Sequence, residues 1–222
     1  MKDIEIINFK SQPKENYFAP EWNSFIYENF LSNINFKKLT STILKLEKKL
    51  LNKYKPDEIN GDGYTGLGNN SLTSRYQKYN LLNTKDSEIN KVKEQIIFHH
   101  NLFLKKMNLD PYPELYIQCW ANVMRKGEKI NTHLHGIEPF MYLGGHICVQ
   151  CDNTSTYYVN PANQINEPQT YQSKNETGKI SLFQNYIPHY TDVHLSNSER
   201  ITIAFDLLVD KTKIKDTFIK LY

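Results

Sequence analysis

Cysteine is scarce in this chain: three in 222 residues, an odd number that leaves no disulfide framework of the kind small secreted domains need. Reduced thiols are expected. Long apolar runs are missing as well, because no stretch approaches the ~18 residues of a membrane span and neither end carries a secretory apolar core. The expectation is a soluble, cytoplasmic protein. An excess of one charge is also lacking. The net charge of +3 and pI near 8.5 come from lysines interspersed with Glu and Asp, a balance that indicates no nucleic-acid partner. The length fits a single domain, 1–222, with room for a sizeable core.

The first half reads as helical. Ile4-Glu5-Ile6-Ile7 looks like one strand followed by an irregular lead-in to Asn23. Phe36, Leu39, Ile43, Leu46, Leu50 and Tyr54 then recur at three- and four-residue steps, the stripe of an amphipathic helix ending before Pro56. A second helix is expected from Ser87 to Asn108, with Ser87 as its cap. His99 and His100 fall on it as neighbours, which point about 100° apart and do not share one ion, so both read as structural. Between the helices lies a polar stretch, 56–83, in which Gly61-x-Gly63-x-x-Gly66 matches the dinucleotide fingerprint letter for letter. That fingerprint needs a strand before it and a helix after it, and neither is present. The stretch reads as a long loop of the sort that serves as a lid, with Tyr64, Arg75, Tyr76 and Tyr79 able to reach a substrate.

From Glu114 the period changes to two. Leu115, Ile117, Cys119, Ala121 and Val123 form an apolar face, and Tyr116, Gln118, Trp120, Asn122 and Met124 a mixed one that should line a cavity together with Tyr142. Further strands are expected over 141–150, 154–160, 178–184 and 200–208, with a Pro/Asn/Gln-rich excursion at 161–177. The predicted architecture is mainly β with a helical N-terminal half: 114–210 as a barrel and 1–113 as its helical buttress and lid loop.

Chemistry concentrates between His133 and Arg200. His133 and His135, two apart on extended chain, point to the same side and can share a metal. His189 ends another apolar run and can arrive from a neighbouring strand as a third ligand. Arg200 and Thr202 share one face of a strand, and a guanidinium beside a hydroxyl suits a carboxylate. Cys148-Val149-Gln150-Cys151 is a C-x-x-C preceded by His146, but it ends a strand instead of opening a helix and has no second pair, which disfavours zinc or redox use.

The order His133-x-His135, His189, Arg200, with Trp120-x-Asn122 upstream, resembles the iron(II)- and 2-oxoglutarate-dependent oxygenases over about 116–208, most of all bacterial and phage members with a Trp-x-Asn before the first histidine. The resemblance implies a double-stranded β-helix, a jelly-roll barrel whose mouth holds the iron. It implies Fe(II) on His133, His135 and His189, 2-oxoglutarate against Arg200 and Thr202 with Asn122 and Tyr142 as further contacts, and O2 as cosubstrate. Hydroxylation of a small molecule or peptide side chain, with release of succinate and CO2, is the reaction it implies. Where the family has a carboxylate ligand this chain has His135, with Glu138 as the alternative. A cupin-like metal enzyme without 2-oxoglutarate and a non-catalytic jelly-roll binding module are the competing readings.

Overall fold

Alternating apolar side chains become ten strands in the computed structural model, which describes residues 4–59, 61–162 and 169–222. They are β1 (Glu5–Lys10), β2 (Asn23–Phe30), β3 (Tyr116–Met124), β4 (Leu143–Gln150), β5 (Ser155–Val159), β6 (Thr170–Lys174), β7 (Lys179–Gln184), β8 (His189–Thr191), β9 (Arg200–Leu208) and β10 (Ile219–Lys220). The two helices are α1 (Phe36–Lys53) and α2 (Ser87–Lys106). One sheet runs β1-β2-β7-β4-β9-β3-β10, the other β6-β5-β8, and every pairing is antiparallel. Among the described residues, no helix is long and apolar enough to cross a membrane.

The large sheet divides the molecule into two compartments. On one face, Ile117, Cys119, Ala121, Ile147, Ile203 and Phe205 join Leu39 and Ile43 of α1 and Ile89, Val92 and Ile96 of α2 in the main core. Each such aliphatic side chain contributes about 1.5–3 kcal/mol by leaving water, which is what binds the helices to the sheet. The other face of β3, β4, β7 and β9 turns toward the small sheet and encloses the cavity described below.

The helix ends follow from local chemistry. Asn35 accepts the Lys38 amide at the start of α1. At α2 the cap is Asp86, not Ser87: Asp86 is extended and accepts from the amides of Glu88 and Ile89, while Ser87 is already helical and its hydroxyl accepts from Lys38. His99 pairs with the Tyr27 hydroxyl and His100 with that of Tyr142, both at 2.8 Å.

Three expectations are corrected. The N-terminal half is not simply helical, because β1 and β2 extend the large sheet. β2 escapes the alternation test since Glu28 points inward, where Lys179, Ser173, Ser181 and Tyr171 satisfy it. No closed barrel forms among the described residues: the two sheets share no ladder, and an isolated bridge joins His133 to His189. Finally, 61–83 is not an open lid. It makes 3-10 turns at Thr73–Lys78 and Leu81–Asn83, and Leu72, Thr73, Ser74 and Arg75 are buried. Arg75 donates to the carbonyls of Tyr54 and Ser71, and the Tyr79 hydroxyl accepts the Ala121 amide, so these groups are structural, whereas Tyr64 is exposed. Part of the 161–177 excursion is β6; 163–168 lie outside the described residues.

Candidate metal centre

The connection between β3 and β4 brings in the first two histidines. His133 exchanges both backbone hydrogen bonds with His189, at 3.1 and 2.9 Å, and the His135 amide donates to the Asn185 carbonyl at 2.9 Å. This extended stretch keeps the parity expected of a strand: the rings of His133 and His135 stack 5.6 Å apart while Leu134 between them is exposed. His189 opens β8, its ring 4.3 Å from that of His133 and 5.1 Å from that of His135. One ligand nitrogen of each histidine lies within 4.8 Å of the others, so the three can hold one metal ion after small side-chain rotations.

Hydrogen bonding decides which nitrogens face inward. Nδ1 of His133 meets the Asn131 carbonyl at 2.9 Å and Nδ1 of His189 meets the Ile187 carbonyl at 3.0 Å. Nδ1 of His135 meets Asp206 Oδ1 at 2.5 Å. All three partners accept, so each Nδ1 carries the proton and each Nε2 keeps a lone pair for a metal. His133 and His189 are also held neutral. Burial, then the neighbouring imidazole of His135, pulls His133 down to about 4. Burial, then the imidazoles of His133 and His135, drives His189 well below the usual histidine range. Protons therefore do not compete for the nitrogens of His133 and His189 at neutral pH.

Beside the histidines, between the two sheets, lies a narrow cavity lined by Trp120, Asn122, Phe183, Arg200 and Thr202, with Thr65 contributed by the 61–83 segment. Arg200 is 1% exposed, and its Nη1 lies 3.0 Å from Met124 Sδ. It has no carboxylate partner among the described residues, and its Nε has no hydrogen-bond acceptor. A guanidinium buried without an anion is costly and ready to receive one. Thr202 is 3.5 Å from the Asn122 amide, whose oxygen accepts the Thr73 hydroxyl at 2.6 Å, so Asn122 is positioned to donate.

Not every residue of suitable chemistry comes to this place. Tyr142 does not: it precedes β4, where strand parity no longer applies, and its hydroxyl is bound to His100. Glu138 sits in the exposed loop after His135, where its Oε2 accepts the Ile137 amide, outside the three-histidine group. Asp192 accepts the Ser155 amide. His194 donates its Nε2–H to the Ser198 carbonyl in a turn. Gln118, expected on the cavity wall, donates to the carbonyls of Tyr76 and Tyr79.

Two contributors are not evident in the sequence. Asp206 lies on β9 in the same alternating set as Arg200, Thr202 and Ala204, and parity is the signal that points to it. Gly144 is the other: a Cβ there would lie 2.7 Å from His135 Nδ1 and 3.0 Å from the Phe183 ring, so the missing side chain makes room for the imidazole.

Residues 118–206 match the model of the family described as "Putative 2OG-Fe(II) oxygenase". No curated protein matches the chain in sequence. A prolyl hydroxylase from Trichoplax adhaerens, solved with a hypoxia inducible factor peptide, shares the fold at a TM-score of 0.54 and 10% identity, over 86% of each chain. The epimerase SnoN, solved with Fe3+, alpha ketoglutarate and nogalamycin RO, gives 0.53 at 8% identity, over 89% of this chain and 94% of its own. A 2OG-Fe(II) oxygenase family oxidoreductase from Burkholderia pseudomallei gives 0.41 at 19% identity over 49% of this chain, which spans about half, 52%, of that protein's length. The first two likenesses show a jelly-roll fold, and the family model covers the strands that carry the histidines, Asp206 and Arg200. Over 118–206 the chain is similar to the iron(II)- and 2-oxoglutarate-dependent oxygenases.

Proposed function

We propose that the protein is a hydroxylase that holds one iron(II) on Nε2 of His133, His135 and His189 and anchors the far carboxylate of 2-oxoglutarate on Arg200 and Thr202, with Asn122 beside them. The observation that carries this reading is the engagement of all three Nδ1 atoms, which leaves the three Nε2 atoms free for one metal ion, with one ligand nitrogen of each ring within 4.8 Å of the others. When bound, the iron supplies activation of O2 coupled to decarboxylation of 2-oxoglutarate to succinate and CO2.

The chain's own residues have separate tasks. Asp206 keeps the proton on His135 Nδ1 and lends that imidazole negative character, which offsets the lack of a carboxylate ligand. Arg200 and Thr202 fix one end of the dicarboxylate so that its keto acid end faces the histidines. Trp120 and Phe183 keep the cavity dry. The cavity measures about 40 Å³, so admitting 2-oxoglutarate requires rotamer changes in its wall. The metal-binding core is 114–210, with 1–113 as its buttress.

One observation favours a second reading. A donor set made only of imidazoles fits a cupin-like metal enzyme that does without 2-oxoglutarate, though such an enzyme has no use for a buried, anion-free Arg200. Anaerobic iron(II) titration followed by a succinate assay in air separates them. One iron per chain with succinate formed supports the oxygenase; one iron without succinate supports the alternative; no iron removes both.

A further inference from the structure

Cys148 and Cys151 are three positions apart, and in a regular strand such residues point to opposite faces about 10 Å apart. Here the ladder between β4 and β9 shifts register between Cys148 and Gln150, a bulge that inserts one extra residue and restores a common face. With Cys148 opposite Thr202 and Gln150 opposite Ile201, Cys151 comes next in line toward Arg200, on the same face as Cys148; Cys148 Sγ donates to Asn175 Oδ1 at 3.5 Å and Cys151 Sγ to the Ile201 carbonyl at 3.8 Å. The C-x-x-C disfavoured in the sequence for ending a strand is thus assembled by a strand irregularity instead of a helix.

Its surroundings connect two compartments. Cys151 is half-buried and lines a surface cleft with Asp152, Asn175 and Val193, so a small oxidant can reach it from solvent. Cys148 is fully buried beside Thr202, its partner in the β4–β9 ladder. Arg200 stands across the β4–β9 ladder from the position of Cys151, with its positive charge close enough to act on that thiol, and it also lines the cavity beside the three histidines. The same guanidinium therefore lies beside the dithiol and faces the anion site. Cys148 and the positive charge of Arg200 lower the Cys151 thiol, while Cys148 is raised. Cys151, reachable from the cleft, is thus the nucleophile and buried Cys148 the resolving thiol.

We propose that Cys148 and Cys151 form a redox-active dithiol which a hydroperoxide converts to a disulfide, and that this releases Arg200 from Cys151 toward the cosubstrate cavity. The steps balance. The Cys151 thiolate attacks the peroxide oxygen, the O–O bond breaks, and a sulfenic acid and hydroxide form. The Cys148 sulfur then displaces hydroxide from that sulfenic acid. Overall two thiols and one hydrogen peroxide give one disulfide and two waters. In the reduced state the Cys151 sulfur competes with a carboxylate for Arg200, whereas a disulfide sulfur is neutral and drawn toward Cys148. The oxidised protein should bind 2-oxoglutarate more tightly, an arm that rests on the function proposed above; formation of the disulfide does not.

The test treats the full chain with hydrogen peroxide, then alkylates it unfolded with N-ethylmaleimide and weighs it. Of the three cysteines in the sequence, only Cys119 should then be alkylated. Cys148→Ser and Cys151→Ser should each form no intramolecular disulfide. Retention of all three thiols, a disulfide that persists in either variant, or oxidation of Cys151 to a sulfinic acid in the wild type would overturn the dithiol. For the second arm, anaerobic calorimetry with iron(II) should give an affinity for 2-oxoglutarate at least about threefold higher in the oxidised than in the reduced protein. Dithiothreitol should reverse the gain, and Cys148→Ser should show none. An equal or weaker affinity overturns the coupling, and so does the absence of 2-oxoglutarate binding in both states, which removes the oxygenase reading while the mass result still decides the dithiol.

Discussion

Asp206 Oδ1 lies 2.5 Å from His135 Nδ1, a carboxylate joined to the imidazole that occupies the position where the family places a carboxylate ligand. The negative charge has moved one hydrogen bond away from the metal position instead of disappearing. Such a partner fixes the ring and raises its basicity, and losing it typically costs 10–100-fold in metal affinity. Asp206→Asn should therefore weaken iron(II) binding by about that factor without abolishing it, read by competition against a chelator. Unaltered affinity would make the pair merely structural.

The neighbouring loop offers a sharper contrast. His135→Ala should reduce iron below one equivalent per chain, whereas Glu138→Ala should leave the stoichiometry intact, because Glu138 is exposed and bound to the Ile137 amide. Metal analysis after gel filtration checks this, and the reverse order would give the ligand role to Glu138.

Gly144→Ala tests the room around the ligand. The new methyl would press on His135 and Phe183. Iron affinity should fall by about tenfold, comparable to the loss of an orienting partner. An alanine variant that binds iron normally would show that the ring has slack.

Acid should destabilise the metal-free protein in a defined window. Burial pulls His99, His100 and His133 down to about 4 and His146 to about 3. In the unfolded chain each returns to about 6.5, so between those values the unfolded state binds more protons and lower pH favours it. Stability is thus intact above about pH 6.5 and declines toward pH ~4, by up to ~1.4 kcal/mol per pH unit for each histidine. Thermal midpoints measured from about pH 7.5 down to about pH 5 should fall, and less steeply in His100→Gln. A flat profile would mean that these rings protonate within the folded state.

Much of this arrangement was legible in the residues. The stripe from Phe36 to Tyr54 gave a helix because its burial is one-sided, and the alternation at 115–123 gave a strand with one apolar face. The three histidines and Arg200 were readable because two-residue parity survives even where His133 and His135 lie on a loop held by a single bridge. What escaped depends on distant partners. β2 hides Glu28 behind four groups, all of them more than 140 residues away. The packing of 61–83 depends on carbonyls that only the folded backbone aligns for Arg75. Tyr142 was misplaced because parity was carried one residue beyond the start of β4. The common face of Cys148 and Cys151 needs a bulge that no local pattern announces.

The central claim is that Arg200, buried without a carboxylate, waits for one end of 2-oxoglutarate while the three histidines hold iron at the other. The most direct measurement is anaerobic calorimetry of 2-oxoglutarate binding to the iron(II)-loaded protein, wild type against Arg200→Met, with iron content and thermal midpoint recorded for both. Removing one charge-assisted contact should cost about 2–4 kcal/mol, or roughly thirty- to thousand-fold in affinity, with iron binding and folding nearly unchanged. Absence of binding in the wild type, or equal affinity in the variant, would contradict the account.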